Sequence, residues 1–339
     1  MDIRTIVSLA AGGRLRLLGA VARLLAPFYR ITFVASAASG GLLARLAAGP
    51  VPFATLARDL APEPRMHEAL RAWLELGVRL GELGKGDDGY RLRGLLSREL
   101  SDPANDDVAA LVEEVAGLHH RLISEAPRRL RAAELLAPDE HDGRMIARSS
   151  RILEPFLAGV LDRALNVSGP VHLLDVGCGS GAHLLRAAAR NVDLRAVGIE
   201  VRAAVAEAAR AEIERRGLAD RITVETGDVR ERGGGDRFDV VTLFNVVYYL
   251  PVAERGPLVR RLASWLKPGG RLLLATCCQG GSPGACVLDL WRSGTEGSGP
   301  LPTRAEIVAR LSEAGLVDLA VEKLIAGEEY FLFSVRRPG

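Results

Sequence analysis

Apolar residues follow two rhythms along this chain. In its second half they cluster in short runs, at 171–176, 194–199, 222–225, 238–244 and 271–276, each with at most two charged or His positions and set off by glycine, proline or polar stretches. Runs this short predict buried strands, and the helix-compatible stretch 183–190 after the first of them predicts a doubly wound α/β sheet. Two further runs, 316–323 and 330–335, predict a sixth and a seventh strand paired antiparallel. A helix starts between them and the fifth strand at Thr303, where Glu306 completes a capping box.

The first half is spaced for helices instead. Residues 1–30 are rich in Leu, Ala and Arg, and Pro27 is expected to close that helix. A second helix at 31–48 ends at Gly49-Pro50, and a short one follows at 53–60. After Pro62-Glu63-Pro64 comes a helix at 65–80 with Leu70, Trp73, Leu74 and Leu76 inward. Gly84, Gly86 and Asp88-Gly89 then mark a hairpin whose returning strand is 90–92. Helix, short helix, turn, helix and hairpin make a winged-helix pattern. Residues 101–166 predict four more helices, at 106–116, 118–126, 127–136 and 145–165. The expected division is 1–100, a helical bridge 101–166, and an α/β domain 167–339.

Composition narrows the function classes. The 339 residues are 48% hydrophobic and 25% charged, with a formal net charge of +2. That suits two globular domains and gives a polyanion little to hold. The wing helix carries Arg65, Arg71 and Arg79, but also Glu68 and Glu75, and has no Asn or Gln to read a base edge. No nucleic-acid partner is expected. The uncharged run 31–44 is too short to span a bilayer and arginines interrupt the first 30 residues, so neither a membrane segment nor a signal peptide is expected and the protein reads as cytoplasmic. Cys178, Cys277, Cys278 and Cys286 lack zinc-site spacing and read as free thiols; no metal is expected.

The chemistry centres on 171–181, VHLLDVGCGSG. Gly177, Gly179 and Gly181 at alternate positions let the backbone approach a ligand closely. The glycines alone also fit a dinucleotide fingerprint, Gly177-x-Gly179-x-x-Ala182. Asp175 separates the cases: a carboxylate two residues before the first glycine repels a pyrophosphate and favours a ligand carrying an ammonium and a sulfonium. The pattern D-x-G-x-G-x-G resembles the AdoMet-binding motif of class I methyltransferases. Further landmarks follow in order: Glu200, then Gly227-Asp228-Val229, Asn245, and Leu266-Lys267-Pro268-Gly269-Gly270 before the fifth strand. The resemblance implies that S-adenosyl-L-methionine is the cofactor and S-adenosyl-L-homocysteine the product. It implies that Asp175 and the three glycines hold the methionyl part, Glu200 with Val201 the ribose, Gly227, Asp228 and Val229 the adenine, and Asn245 the methionyl side.

The first hundred residues resemble the N-terminal dimerisation domain of bacterial small-molecule O-methyltransferases, which implies a homodimer and helices walling an acceptor pocket. His119, His120, His141, Arg148 and Ser149 of the bridge become candidates for that pocket, with Trp291 beyond the glycine-rich loop 276–284, which reads as a lid. His119 and His120 cannot both face one point, because neighbours on a helix diverge. The fit is looser at the acceptor end. Related enzymes often read N-V-L-H-D-W after the fourth strand, with the His as base; here the residues are Asn245-Val246-Val247-Tyr248-Tyr249-Leu250. A phenol is a poor base at neutral pH, so Tyr248 is a catalytic candidate that reads equally as pocket wall, and Tyr249 as substrate contact. His119, His120 or His141 could serve as base instead, or alignment alone could suffice. The expected function is methyl transfer to a small-molecule acceptor through O, N or C. Two alternatives are a methyltransferase-fold protein catalysing a non-methylating cyclisation or elimination, and a winged-helix DNA-binding AdoMet sensor.

Overall fold

The computed structural model describes residues 14–138, 140–233 and 238–339, which fall into two compact units. The part of the expected 1–30 helix before Arg14 lies outside them. The first unit takes the chain up to Arg121 together with Asp142–Ile152; the second takes Leu122–His141 and Leu153–Gly339. The expected bridge 101–166 is thus shared between the two units.

In the first unit, one helix runs from Arg14 to Ser39, straight through Pro27. The expected break at Pro27 does not occur: a proline removes one intrahelical hydrogen bond, and the helix continues on either side of that gap. It ends at Gly40-Gly41, where Gly41 is left-handed, and Leu42–Leu46 follows as a separate short helix. Phe33, Val34 and Ala37 pack with Leu42, Leu43, Leu46, Leu56, Leu74, Leu83 and Tyr90 into this unit's core. Gly77 on the helix His67–Arg79 allows this approach, since a Cβ there would sit 2.3 Å from Phe33 Cζ. The hairpin pairs β1 (Leu83–Gly86) with β2 (Gly89–Leu92), as the glycines predict. By length and composition alone, Arg14–Ser39 could also cross a membrane, and it is the one such helix among the described residues.

The bridge helices join differently from expectation. Asp106–Glu114 leads through a π turn, Val115–His119, into His120–Ala132, which passes Pro127 without breaking. The expected long helix 145–165 is instead Gly143–Ser149, a 3₁₀ turn Ser150–Leu153, and Glu154–Ala164.

The second unit is a seven-stranded sheet. Its strands are β3 (His172–Val176), β4 (Arg195–Glu200), β5 (Ile222–Thr226), β6 (Phe238–Phe244), β7 (Leu266–Cys277), β8 (Val317–Lys323) and β9 (Tyr330–Arg336), in the order β5-β4-β3-β6-β7-β9-β8. β3 to β7 are parallel, and β9 is antiparallel to both β7 and β8. Alternation along the buried strands feeds two core layers: Leu173 and Leu273 enter one, Leu174, Leu272 and Leu274 the other. Lys267–Gly270 form a bulge inside β7, and a Cβ on Gly270 would meet the carbonyl oxygens of Lys267 and Phe238 at 2.9 Å. On the edge strand β8 the ladder slips between Val317 and Ala320, with Asp318 left-handed, which blunts an exposed edge. The strand order reverses between β3 and β6, and a parallel sheet opens a crevice at the carboxyl ends there.

Candidate active site

The carboxyl end of β3 lies at that reversal. Asp175 is 1% exposed, and Oδ1 accepts a 2.6 Å hydrogen bond from the Thr242 hydroxyl on β6. Oδ2 has no hydrogen-bond partner among the described residues; His183 Nδ1 stands 3.9 Å away. Burial raises the pKa of this carboxyl, with His183 and the Thr242 bond opposing. Gly177, Gly179 and Gly181 are all left-handed, the conformation their lack of a Cβ permits. A Cβ on Gly177 would press to 2.4 Å from Val246, whereas one on Gly179 would meet nothing within 4 Å, which leaves that side of the turn open.

Glu200 ends β4 and reaches back to the turn. One carboxylate oxygen accepts from Gly179 N at 3.1 Å and the other from Arg202 N at 3.0 Å. Val201 beside it is exposed. Gly227 N donates to the Glu200 carbonyl, and Asp228 follows with its carboxylate clasped by Arg230, which holds its pKa down. Val229 is buried in the core beneath. Asn245 stands just past β6 with φ 58°, a conformation Asn tolerates better than most residues, and its Oδ1 is buried without a partner. Tyr330, the first residue of β9, pairs with Cys277 at the end of β7, which brings its hydroxyl to the same edge beside Asn245. That hydroxyl is also buried without a hydrogen bond of normal geometry.

Asp175 Oδ2 and His183 Nε2 are thus buried polar atoms left without partners at one edge of one sheet, and Asn245 Oδ1 and the Tyr330 hydroxyl sit beside each other there without a hydrogen bond of normal geometry. Such groups ordinarily cost stability, and a cluster of them marks a place where a ligand supplies what is missing. The carboxylate and amide oxygens suit a positively charged N–H donor, and the open side of the glycine turn leaves room for it. A diphosphate would meet the Asp175 carboxylate with like charge. The residues therefore fit the aminoacyl end of AdoMet.

The acceptor candidates fall in both units. Tyr248 is buried, its ring centroid 4.9 Å from that of Tyr249, which is 41% exposed. Burial pushes the Tyr248 phenol well above its ordinary value, so it stays protonated at neutral pH and does not take up a proton. Trp291 lies on the helix Pro283–Ser293, which starts earlier than the glycine-rich stretch suggests, capped by Ser282. Its ring is buried and meets His141 edge-on at 4.9 Å. Within the first unit, His119 Nε2 is 3.2 Å from Glu114 and His120 packs against Phe28. Arg148 there is held by Asp106 at 2.6 Å and Glu113 at 3.0 Å, and Ser149 turns its hydroxyl to the Ile146 carbonyl. Cys178, Cys277, Cys278 and Cys286 are free thiols, and burial pushes Cys277 up to about 11 and Cys278 up to about 12. No group of three or more metal-ligating side chains occurs among the described residues. Two residues of this end, Arg292 and Tyr330, carry no motif in the sequence; only the fold brings them here.

Comparison with known proteins agrees with this geometry. A family described as "Methyltransferase domain" matches residues 173–270. Over 147 residues the chain is 33% identical to 27-O-demethylrifamycin SV methyltransferase of Amycolatopsis mediterranei, covering 42% of this chain and 53% of that one. Over 157 residues it is 37% identical to aclacinomycin 10-hydroxylase RdmB of Streptomyces purpurascens, covering 45% and 41%. The chain thus spans about half the length of the curated relatives it matches. Its fold is similar to that of the mitomycin 7-O-methyltransferase MmcR, with a TM-score of 0.77 at 22% identity over 96% of this chain and 99% of that one. Residues 173–270 thus match a methyltransferase domain, and the fold around them is similar to that of a solved O-methyltransferase.

Proposed function

We propose that this chain transfers a methyl group from AdoMet to a small-molecule acceptor of secondary metabolism and releases S-adenosylhomocysteine. The observation that carries this reading is the pair of unpartnered, buried oxygens, Asp175 Oδ2 and Asn245 Oδ1, beside the open glycine turn. AdoMet, when bound, supplies a methyl group on a positively charged sulfur. Asp175 and Asn245 would hold its ammonium. Glu200 keeps carboxylate lone pairs beyond the two backbone amides it already accepts, enough for ribose hydroxyls. Asp228 would take the adenine amino group by sharing its carboxylate with Arg230. In the transfer the acceptor's lone pair would form the bond to the methyl carbon while the carbon–sulfur pair stays on sulfur, and the positive charge would pass to the acceptor and leave as its proton unless the acceptor binds already ionised. Alignment and exclusion of water would then be the protein's main contributions. Tyr248, protonated, would act as pocket wall.

Methyl-labelled AdoMet incubated with a panel of phenols, amines and keto acids tests the reading. Label should move into a product with equal formation of S-adenosylhomocysteine. Substrate conversion without S-adenosylhomocysteine would overturn methyl transfer in favour of a cyclisation or elimination.

We further read the first unit as a homodimerisation module. Leu17, Val21, Leu24 and Phe28 form an exposed stripe at helical spacing on Arg14–Ser39, and such a stripe asks for a second surface. Leu17→Lys with Leu24→Lys should convert a dimer to a monomer in sedimentation velocity; an unchanged species would rule this helix out as the interface.

A further inference from the structure

The second unit buries two arginines in contrasting ways. Arg255 is fully buried and fully answered: Glu306 lies 3.4 Å from Nη1, and the carbonyls of Leu250 and Pro300 take the other nitrogens. Arg292 is 4% exposed, yet no carboxylate pairs with it among the described residues. Nε and Nη2 both donate to one hydroxyl, Ser298 Oγ, at 3.1 and 2.7 Å, and Nη1 makes no hydrogen bond among the described residues. The guanidinium carbon sits 4.5 Å from the Tyr249 ring and 5.2 Å from the Trp291 ring. Ser298 Oγ in turn donates a hydrogen bond to the Tyr248 carbonyl, at 3.2 Å, so this tether reaches the tyrosine pair directly. A guanidinium this far buried, with a single hydroxyl as hydrogen-bond partner and Nη1 left at the accessible end, is costly, and an anion at Nη1 is what repays it.

Resting on the methyl-transfer reading above, we propose that Arg292 is the anion-binding group of the acceptor site. The acceptor is an aromatic oxyanion, its negative oxygen paired with the guanidinium and its ring against the exposed Tyr249. Burial lowers the pKa of Arg292, offset in part by Tyr249 and Tyr248, and a bound oxyanion would restore the cation's stability. Planar Arg suits this role because its fork of donors matches a carboxylate or a phenolate and its face stacks on aromatic rings. The same residue resolves the missing base. A hydroxyl that arrives ionised has already given its proton to water, so its lone pair can form the oxygen–carbon bond while the carbon–sulfur pair stays on sulfur. Tyr248, which cannot accept a proton, is then not required to.

The test uses 4-nitrophenol, whose ionised form absorbs in the visible, titrated into the full-length chain saturated with S-adenosylhomocysteine across a pH series. The bound probe should ionise at lower pH than the free probe. Benzoate should compete if the site takes a carboxylate, and fail to compete if only an ionised hydroxyl fits; benzamide, neutral, should not compete in either case. Arg292→Met should weaken nitrophenolate binding about tenfold to a hundredfold, with S-adenosylhomocysteine affinity and melting temperature unchanged. Arg292→Lys should retain part of the affinity, and serves if the Met variant does not fold. Ser298→Ala removes the tether but keeps the charge, and should keep the preference for the ionised probe. The proposal is overturned if wild type shows no preference for the ionised probe, if Arg292→Met binds it equally well, or if Ser298→Ala loses it as fully. Failure of wild type to bind S-adenosylhomocysteine in calorimetry would instead sink the methyl-transfer reading itself.

Discussion

The two halves of the sheet's carboxyl edge are assembled by different means. On the β3–β4–β5 side every chemical group lies in the last two residues of a strand or one turn beyond it: Asp175, the glycine turn, Glu200 and Asp228. Strand register fixes them, since Asp175 pairs across to both Gly198 and Thr242. On the β6–β7–β9 side the groups come from a 3₁₀ turn, a helix and a returning strand: Tyr248, Arg292 and Tyr330. One side is determined by the sheet itself, the other by what the connecting segments add to it. On the reading proposed above, AdoMet falls mostly to the first kind of construction, with Asn245 just past β6 joining it, and the acceptor to the second.

Substitutions can break this contrast at graded cost. Asp175→Asn removes the one buried charge opposite a cationic ligand and should lower S-adenosylhomocysteine affinity about a hundredfold, read by calorimetry. The same variant without ligand should melt no lower than wild type, because the lost charge was unpaired. Gly177→Ala places a Cβ at φ 72° against Val246 and should destabilise the protein by about 2 kcal/mol in urea unfolding. Asn245→Ala loses one acceptor and a residue suited to positive φ, so affinity should fall about tenfold. Tyr248→Phe, on the other side of the divide, should change kcat by less than about twofold, since a phenol held protonated by burial moves no proton.

Acidity sharpens the contrast with opposite signs. The folded-state pKa of Asp175 is raised above its unfolded value, so the folded protein binds that proton more tightly. Its contribution to ligand-free stability therefore improves as pH falls through the raised value, while affinity for a cationic ligand drops over the same interval. Asp228 is depressed by Arg230 instead; its stabilisation is present above the unfolded pKa and is lost as pH falls through the folded one. Calorimetric titration of S-adenosylhomocysteine from neutral pH downward should show affinity falling before unfolding begins.

The same division decided what could be read from the chain. The strand ends were legible because local signals suffice there: an apolar run, an acid, then alternating glycines. The Thr303–Glu306 capping box was legible for the same reason, and Thr303 Oγ1 does accept from Glu306 N at 3.0 Å. Pro27 and Pro127 misled, since a proline reads locally as a stop while both helices run through it at the loss of a single backbone hydrogen bond. Arg292 and Tyr330 were invisible. An arginine in a helix reads as a solvated face until folding buries it beside Tyr249, and the Tyr330 hydroxyl reaches Asn245 only because β9 inserts beside β7.

That insertion has a consequence for biosynthesis. β9 lies inside β8 in the sheet although it leaves the ribosome after it. A nascent chain can therefore assemble the parallel strands while translation is still under way, but the edge that carries Tyr330 must wait for almost the last segment described, with β8 held outside a gap until its neighbour arrives.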